Sequence, residues 1–261
     1  MTMQRAVLGF AAVLSLAVLL AGCPSKSGGG SSGAGNVGKG ETSGGQNAPI
    51  AAKMGGPSGT QETELPLDRV PADLRHEAFE YYGLGAGKEV EFKVVASNRS
   101  EPMTGGMSIS LAEVKDAEAK FRVTYSGALA PQGRQELVLK KDGIYVVRIA
   151  DNALPAPILE LPAQLTPGKT WKTAVSIDLP SGQKAEIERR FKIIGPAKVK
   201  VQAGEFSAIK IQGTGTTVVD ADRYSSTVTG WYVKGRGAVK VVDDSKKPDG
   251  TKLTVTIEAV K

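Results

Sequence analysis

Trp171-Lys172-Thr173-Ala174-Val175-Ser176-Ile177-Asp178-Leu179 decides the fold class. Apolar or β-branched side chains at 171, 173, 175, 177 and 179 alternate with polar or small ones at 172, 174, 176 and 178. In an extended chain successive side chains point to opposite faces, so this period gives one buried and one solvated face. Pro180-Ser181-Gly182 then supplies a turn. The same period recurs along the chain. Val90, Phe92 and Val94 alternate with Glu91 and Lys93, and Met107, Ile109 and Leu111 with Ser108 and Ser110. Phe121, Val123 and Tyr125 alternate with Arg122 and Thr124, and Leu253, Val255 and Ile257 with Thr254 and Thr256. Turn signals separate such runs at Lys141-Asp142-Gly143, Ala203-Gly204, Gly235-Arg236-Gly237 and Pro248-Asp249-Gly250. The pattern predicts an all-β, antiparallel domain of about eleven or twelve strands. A barrel, a half-barrel and a sandwich all satisfy it.

The domain spans residues 62–261, a length that suits one hydrophobic core and buries about 70% of the unfolded surface. It opens on a short helix, with Pro71 at a first-turn position and Gly83 at its end. Leu74, Ala78 and Tyr81 or Tyr82 line its inner side. Leu84-Gly85-Ala86-Gly87-Lys88-Glu89-Val90 resembles Leu165-Thr166-Pro167-Gly168-Lys169-Thr170-Trp171, and each opens a series of strands. A duplication with halves near 84–152 and 165–261 accounts for this, the Pro-rich stretch from Leu154 to Pro167 being the connection.

Residues 23–61 are rich in Gly and Ser with no aromatic residue, and so cannot bury enough surface to offset the entropy of ordering. They read as a disordered tether. Residues 1–22 carry one charge, Arg5, before an uncharged run from Ala6 to Ala21, shorter than the ~20 residues of a membrane-spanning helix. These are the marks of a secretory signal peptide. The run ends Leu20-Ala21-Gly22-Cys23, which resembles the lipobox of bacterial lipoproteins. The resemblance implies cleavage between Gly22 and Cys23, and a diacylglyceryl group on the Cys23 thiol. It places the protein in the cell envelope, on the periplasmic or other extracytoplasmic side. A single acyl chain holds a protein only marginally at ~0.8 kcal/mol per buried CH₂, whereas the two or three chains expected here anchor it stably. Cys23 is the chain's single cysteine, so no disulfide forms within it.

Chemistry-bearing motifs are few. Ala163-Gln164-Leu165-Thr166-Pro167-Gly168-Lys169-Thr170 fits a loose phosphate-loop pattern, but Pro167-Gly168 reads as a tight turn and a strand follows where a helix is needed. Gly83-Leu84-Gly85-Ala86-Gly87-Lys88 is weaker still, with Glu89 in place of the metal-binding hydroxyl. No nucleotide and no cofactor is expected. His76 is the single histidine, and Asp73, Glu77 and Glu80 share its face at helical spacing. A solvated charged face explains that set better than a metal site, for which one His without Cys is poor zinc chemistry. No Gly-x-Ser-x-Gly elbow is present, and Asp243-Asp244 reads as part of a polar hairpin loop. No catalytic residue is assigned; a hydrolase would need carboxylates that only the fold brings together. The net charge of +6 comes from Lys and Arg that look scattered, a solvated surface with weak attraction to anionic lipid or polymer. Nucleic acid is not an expected partner.

In the C-terminal half, Leu165-x-x-Gly168-Lys169-x-Trp171, Val201-Gln202-Ala203-Gly204-Glu205-Phe206 and Trp231-Tyr232-x-x-Gly235-x-Gly237 follow in order. This looks like the TapB-like and related β-rich domains of bacterial envelope lipoproteins, which implies a fold rather than an activity. Trp171, Phe206 and Trp231 are the expected structural anchors, and Gly204 the positive-φ residue of a hairpin. The expectation is a membrane-anchored, non-enzymatic module that binds a ligand or supports envelope assembly. A LolA/LolB-like carrier with an apolar groove for lipid or lipoprotein, and a hydrolase with an unrecognised carboxylate pair, are the alternatives.

Overall fold

The computed structural model describes residues 65–260 apart from 88, 150, 151 and 179–182. The signal segment, Gly22, Cys23 and the Gly/Ser-rich stretch to residue 61 lie outside the described residues, as do Leu179 and the 180–182 turn. Two 3₁₀ turns, Leu67–Arg69 and Ala72–Leu74, precede helix α1 (Glu77–Tyr82). Six strands follow: β1 (Val90–Ala96), β2 (Met103–Lys115), β3 (Glu118–Gly127), β4 (Gln135–Lys140), β5 (Gly143–Ile149) and β6 (Asn152–Pro162). Six more complete the chain: β7 (Thr170–Asp178), β8 (Lys184–Val201), β9 (Gly204–Val219), β10 (Asp222–Val233), β11 (Gly237–Lys246) and β12 (Lys252–Ala259).

All twelve form one antiparallel sheet in the order β6-β5-β4-β3-β2-β1-β12-β11-β10-β9-β8-β7. Each half of the chain is a six-strand meander, and the halves join where β1 pairs with β12, from Phe92↔Ala259 to Ala96↔Val255. The edge strands β6 and β7 approach each other, with the Asn152 side-chain N–H donating to the Asp178 carbonyl at 3.3 Å. The sheet is thus a nearly closed antiparallel barrel, the first of the three architectures that the alternation allowed.

The period of two becomes inside and outside. On β8, Ala185, Ile187, Phe191 and Ile193 point inward while Lys184, Glu186, Glu188, Arg190 and Lys192 are exposed. Every strand contributes apolar side chains to the interior. Phe92, Leu111, Phe121, Leu137, Leu139 and Ile144 are fully buried there, each adding about 1.5–3 kcal/mol through the surface it removes from water.

Helix α1 closes one end of the barrel. Leu74, Ala78, Phe79 and Tyr82 are buried, with Phe79 tilted against Phe121 at 6.4 Å between ring centres. Ala78 N–H donates to the Ala163 carbonyl at 3.1 Å and Gly235 N–H to the Glu80 carbonyl at 2.9 Å. Gly83 ends the helix at φ +80°, so close to Gly237 that a Cβ would lie 2.7 Å from its nitrogen. The helix is shorter than the Pro71–Gly83 segment suggested. Arg75 and His76 leave the helical conformation, and the Arg75 guanidinium caps the carbonyls of Leu67, Asp68 and Val70 at 2.9–3.3 Å.

A second correction concerns Leu154 to Pro167, expected as a connection between halves. Its residues through Pro162 belong to β6, an edge strand paired on one side only to β5. Pro155 and Pro157 are tolerated because they lie in an irregular stretch, residues 154–157, where the β5 pairing skips from Ala153 to Ile158, so they interrupt no ladder hydrogen bond. The connection proper is Ala163–Lys169, whose Thr166-Pro167-Gly168-Lys169 turn is closed by Lys169 N–H to Thr166 O at 3.1 Å, with Gly168 at φ +87°.

Candidate functional site

Three charged residues occupy inward positions. Arg189 lies on β8 between Ile187 and Phe191 and is 3% exposed; Asp243 lies on β11 between Val241 and Ser245 and is 0% exposed; Glu160 on β6 is 4% exposed. Gly215 on β9, directly opposite Arg189, makes room for the arginine stem. A Cβ there would lie 2.7 Å from Arg189 Cγ and against the Glu188 carbonyl oxygen. Arg189 Nη2 donates to Ser226 Oγ on β10 at 3.4 Å. Burial pushes the guanidinium's pKa down, and the negative charges of Asp243 and then Glu160 oppose that shift. Those two carboxylates are therefore its electrostatic partners. Taking ions out of water costs several kcal/mol each, which mutual attraction and hydrogen bonds must offset.

Tyrosines surround the cluster. Burial, and after it the Glu160 charge, pushes the phenols of Tyr82, Tyr125 and Tyr232 upward, so all three are neutral at ordinary pH. Tyr125 donates to Gln135 Oε1 at 3.1 Å. The arrangement unites β6, β8, β11 and α1 through one guanidinium, two carboxylates and neutral hydroxyls. Chemically it can fix charges and donate hydrogen bonds. Sequence reasoning singled out neither Arg189 nor Glu160 and put Asp243 in a loop, although the signal was there: a charge in phase with apolar residues, as in Ala185, Ile187, Arg189, Phe191, Ile193.

The residues singled out from sequence go elsewhere. Asp243 and Asp244 are not in a hairpin loop but in β11; the turn proper is closed by Gly250 N–H to Lys247 O at 3.0 Å. Asp244 is outside the barrel and accepts from Thr254 Oγ1 at 2.6 Å. Asp73 and Glu77 are exposed, as a solvated face requires, but the Asp73, His76, Glu77 and Glu80 side chains do not converge, each meeting a different part of the barrel end. Asp73 pairs with Lys141 at 3.0 Å, Glu80 with Lys234 at 2.9 Å, and Glu77 Oε2 accepts from Leu165 N–H at 2.7 Å. His76 Nδ1 accepts the Phe79 N–H at 3.4 Å, which leaves Nε2–H to donate to the Lys140 carbonyl at 2.9 Å. Among the described residues no three metal-ligating side chains gather.

Trp171 is buried and stacks on Phe191 at 5.2 Å. Phe206 and Trp231 are half-buried, Phe206 beneath Arg236 and Trp231 beneath Lys210 and Lys240. Gly204 has φ +132° at the β8–β9 hairpin.

No family model and no curated protein matches the chain. The solved structures similar to it include these three. One is a protein described as exported, with a YmcC-like fold, from Bacteroides fragilis (12% identity, TM-score 0.49, 67% of this chain and 94% of that chain). Another is a protein described as a lipoprotein, from Parabacteroides distasonis (12%, 0.46, 67% and 94%). The third is the hypothetical lipoprotein YmcC from Escherichia coli (13%, 0.30, 74% and 90%).

Proposed function

We propose that the chain is a lipid-anchored extracytoplasmic protein whose barrel works without catalysis, as a binding or envelope-assembly module that presents its outer wall and its turns. The filled interior carries this reading. Phe92, Phe121 and their neighbours occupy the barrel together with the Arg189 cluster, as in small barrels whose lumen is a core rather than a container. Recognition then falls to the outside. The anchor is supported by Leu20-Ala21-Gly22-Cys23.

Labelling with a radioactive fatty acid, followed by membrane fractionation of wild type and Cys23→Ala, tests the anchor. Label in wild-type membranes and none on the variant is expected; unlabelled wild type defeats it. Lipid co-purifying in native mass spectrometry would instead favour a LolA/LolB-like carrier. A hydrolase reading draws on Glu160 and Asp243, since both face one guanidinium. Turnover of ester, glycoside or peptide substrates that disappears in Glu160→Gln or Asp243→Asn would overturn the non-enzymatic reading.

A further inference from the structure

Charge is unequally shared between the two meanders. Residues 62–164 carry 12 Lys and Arg against 16 Asp and Glu, a net of −4, whereas residues 165–261 carry 17 against 10, a net of +7. Five more basic and six fewer acidic residues in the second half make that difference. In the first half several cations on the wall are matched: Lys120, Arg134 and Arg148 converge on Glu136 at 3.8, 2.9 and 3.4 Å, and Lys140 meets Glu118 at 2.7 Å.

The outer face of β7–β9 is built differently. Lys172 on β7 stands directly opposite Arg190 on β8, and Lys192 occupies the next outward position. Like charges placed directly opposite destabilise a sheet. Among the described residues Lys172, Arg190, Lys192 and Arg223 form no ion pair with a carboxylate. Lys172, Arg190 and, from the adjoining β10, Arg223 line one open groove of about 610 Å³, with Thr214 and Thr216 as hydroxyl donors and Glu188 as its one carboxylate. Uncompensated cations beside hydroxyls, on an exposed wall, are the complement of a phosphate-bearing surface.

We propose that the β7–β9 wall faces the membrane and takes the phosphate groups of anionic lipids, laying the barrel on its side against the bilayer. This rests on the anchoring reading above. Residues 24–64 between Cys23 and the first described residue can span at most about 140 Å, so the wall can reach the membrane that holds the anchor. Each basic side chain at an anionic surface strengthens association about fivefold.

The full-length lipidated protein is placed in nanodiscs of phosphatidylcholine, or of phosphatidylcholine mixed with phosphatidylglycerol. The acylation rate of each lysine is then followed by mass spectrometry. Lys172 and Lys192 are expected to react about fivefold more slowly, or less, in the anionic discs, and to recover in high salt. Lys115 and Lys141, exposed on the other half, should react alike in both. Arg190→Glu with Arg223→Glu should abolish the difference at Lys172 while circular dichroism shows an intact fold. Equal rates at Lys172 and Lys192 in the two discs would overturn the proposal. So would equal protection by inorganic pyrophosphate in neutral discs, which would assign the groove to soluble phosphate. Protein that fails to enter discs would defeat the anchoring reading alone. The wall is then tested by co-sedimentation with vesicles of the same two compositions, where absence of an anionic preference overturns it.

Discussion

Replacing Arg189 by Met should destabilise the barrel by about 3–5 kcal/mol, the cost of leaving buried charges without their partner. Methionine keeps an unbranched apolar stem in the space beside Gly215, so the change is chiefly one of charge. Asp243 and Glu160 would remain buried, 0% and 4% exposed, without the guanidinium that offsets their charge. At about 2–4 °C per kcal/mol for a domain of this size, Tm should fall by about 6–20 °C. The informative comparison is Arg189→Met combined with Glu160→Gln and Asp243→Asn. Removing every charge at once should restore most of the loss, because neutral polar groups in the same space cost far less than unpaired ions. Urea unfolding followed by tryptophan fluorescence is a suitable assay, since Trp171 stacks on Phe191, the next inward residue after Arg189. A loss below about 1 kcal/mol, or a triple variant no more stable than the single one, would show that the cluster is not a coupled ionic unit.

Other perturbations test separate parts of the structure. Gly213→Ala should cost about 1–3 kcal/mol by overpacking, because its Cβ would lie 2.5 Å from the Phe191 ring; an unchanged urea midpoint would refute that packing. His76→Ala should cost about 1–2 kcal/mol by removing the cap on the Phe79 N–H and the bond to Lys140 O, and a neutral result would mean α1 holds its place without them. Stability should also decline in alkali. Burial, with the hydrogen bond to Asp142, pushes Tyr145 up to about 12, and burial raises Tyr82, Tyr125 and Tyr232 as well. Below an unfolded-state value of about 10, both states are protonated and nothing is lost. Above it the unfolded chain ionises first, so stability falls as pH rises through that range. Tyr145→Phe should remove part of the fall between about 10 and 12, and identical pH profiles for variant and wild type would contradict the assignment.

Strand periodicity was legible because it is local. Phe92, Phe121, Trp171 and Ile257 announce their inward faces two residues at a time, and the turns at Asp142-Gly143 and Asp249-Gly250 lie where the backbone reverses. The edge strand β6 was hidden because proline reads as a breaker until the β5 pairing shows that Pro155 and Pro157 sit where that ladder skips from Ala153 to Ile158. Barrel closure depends on Asn152 meeting Asp178 and on β1 meeting β12, pairings with no local signature. Arg189, Glu160 and Asp243 were obscured for a related reason. Charge on a strand is read as outward by default, and only the three together make an inward position tolerable. Asp243 was drawn into the neighbouring turn by Asp244 and Lys246-Lys247, whose solvated character is real and begins one residue later.

The pairing of the first strand with the last has a kinetic consequence. Phe92 meets a partner, Ala259, that lies 167 positions further along the chain, whereas every other ladder joins neighbours in the chain. Each meander can assemble from short-range hairpins, but the seam between them must wait for the C-terminus. Until then β1 presents an unsatisfied edge, the kind of surface that recruits other chains. A chain cut after β11 should therefore retain hairpin structure, yet aggregate in proportion to its concentration. Adding β12 as a separate peptide should suppress that aggregation.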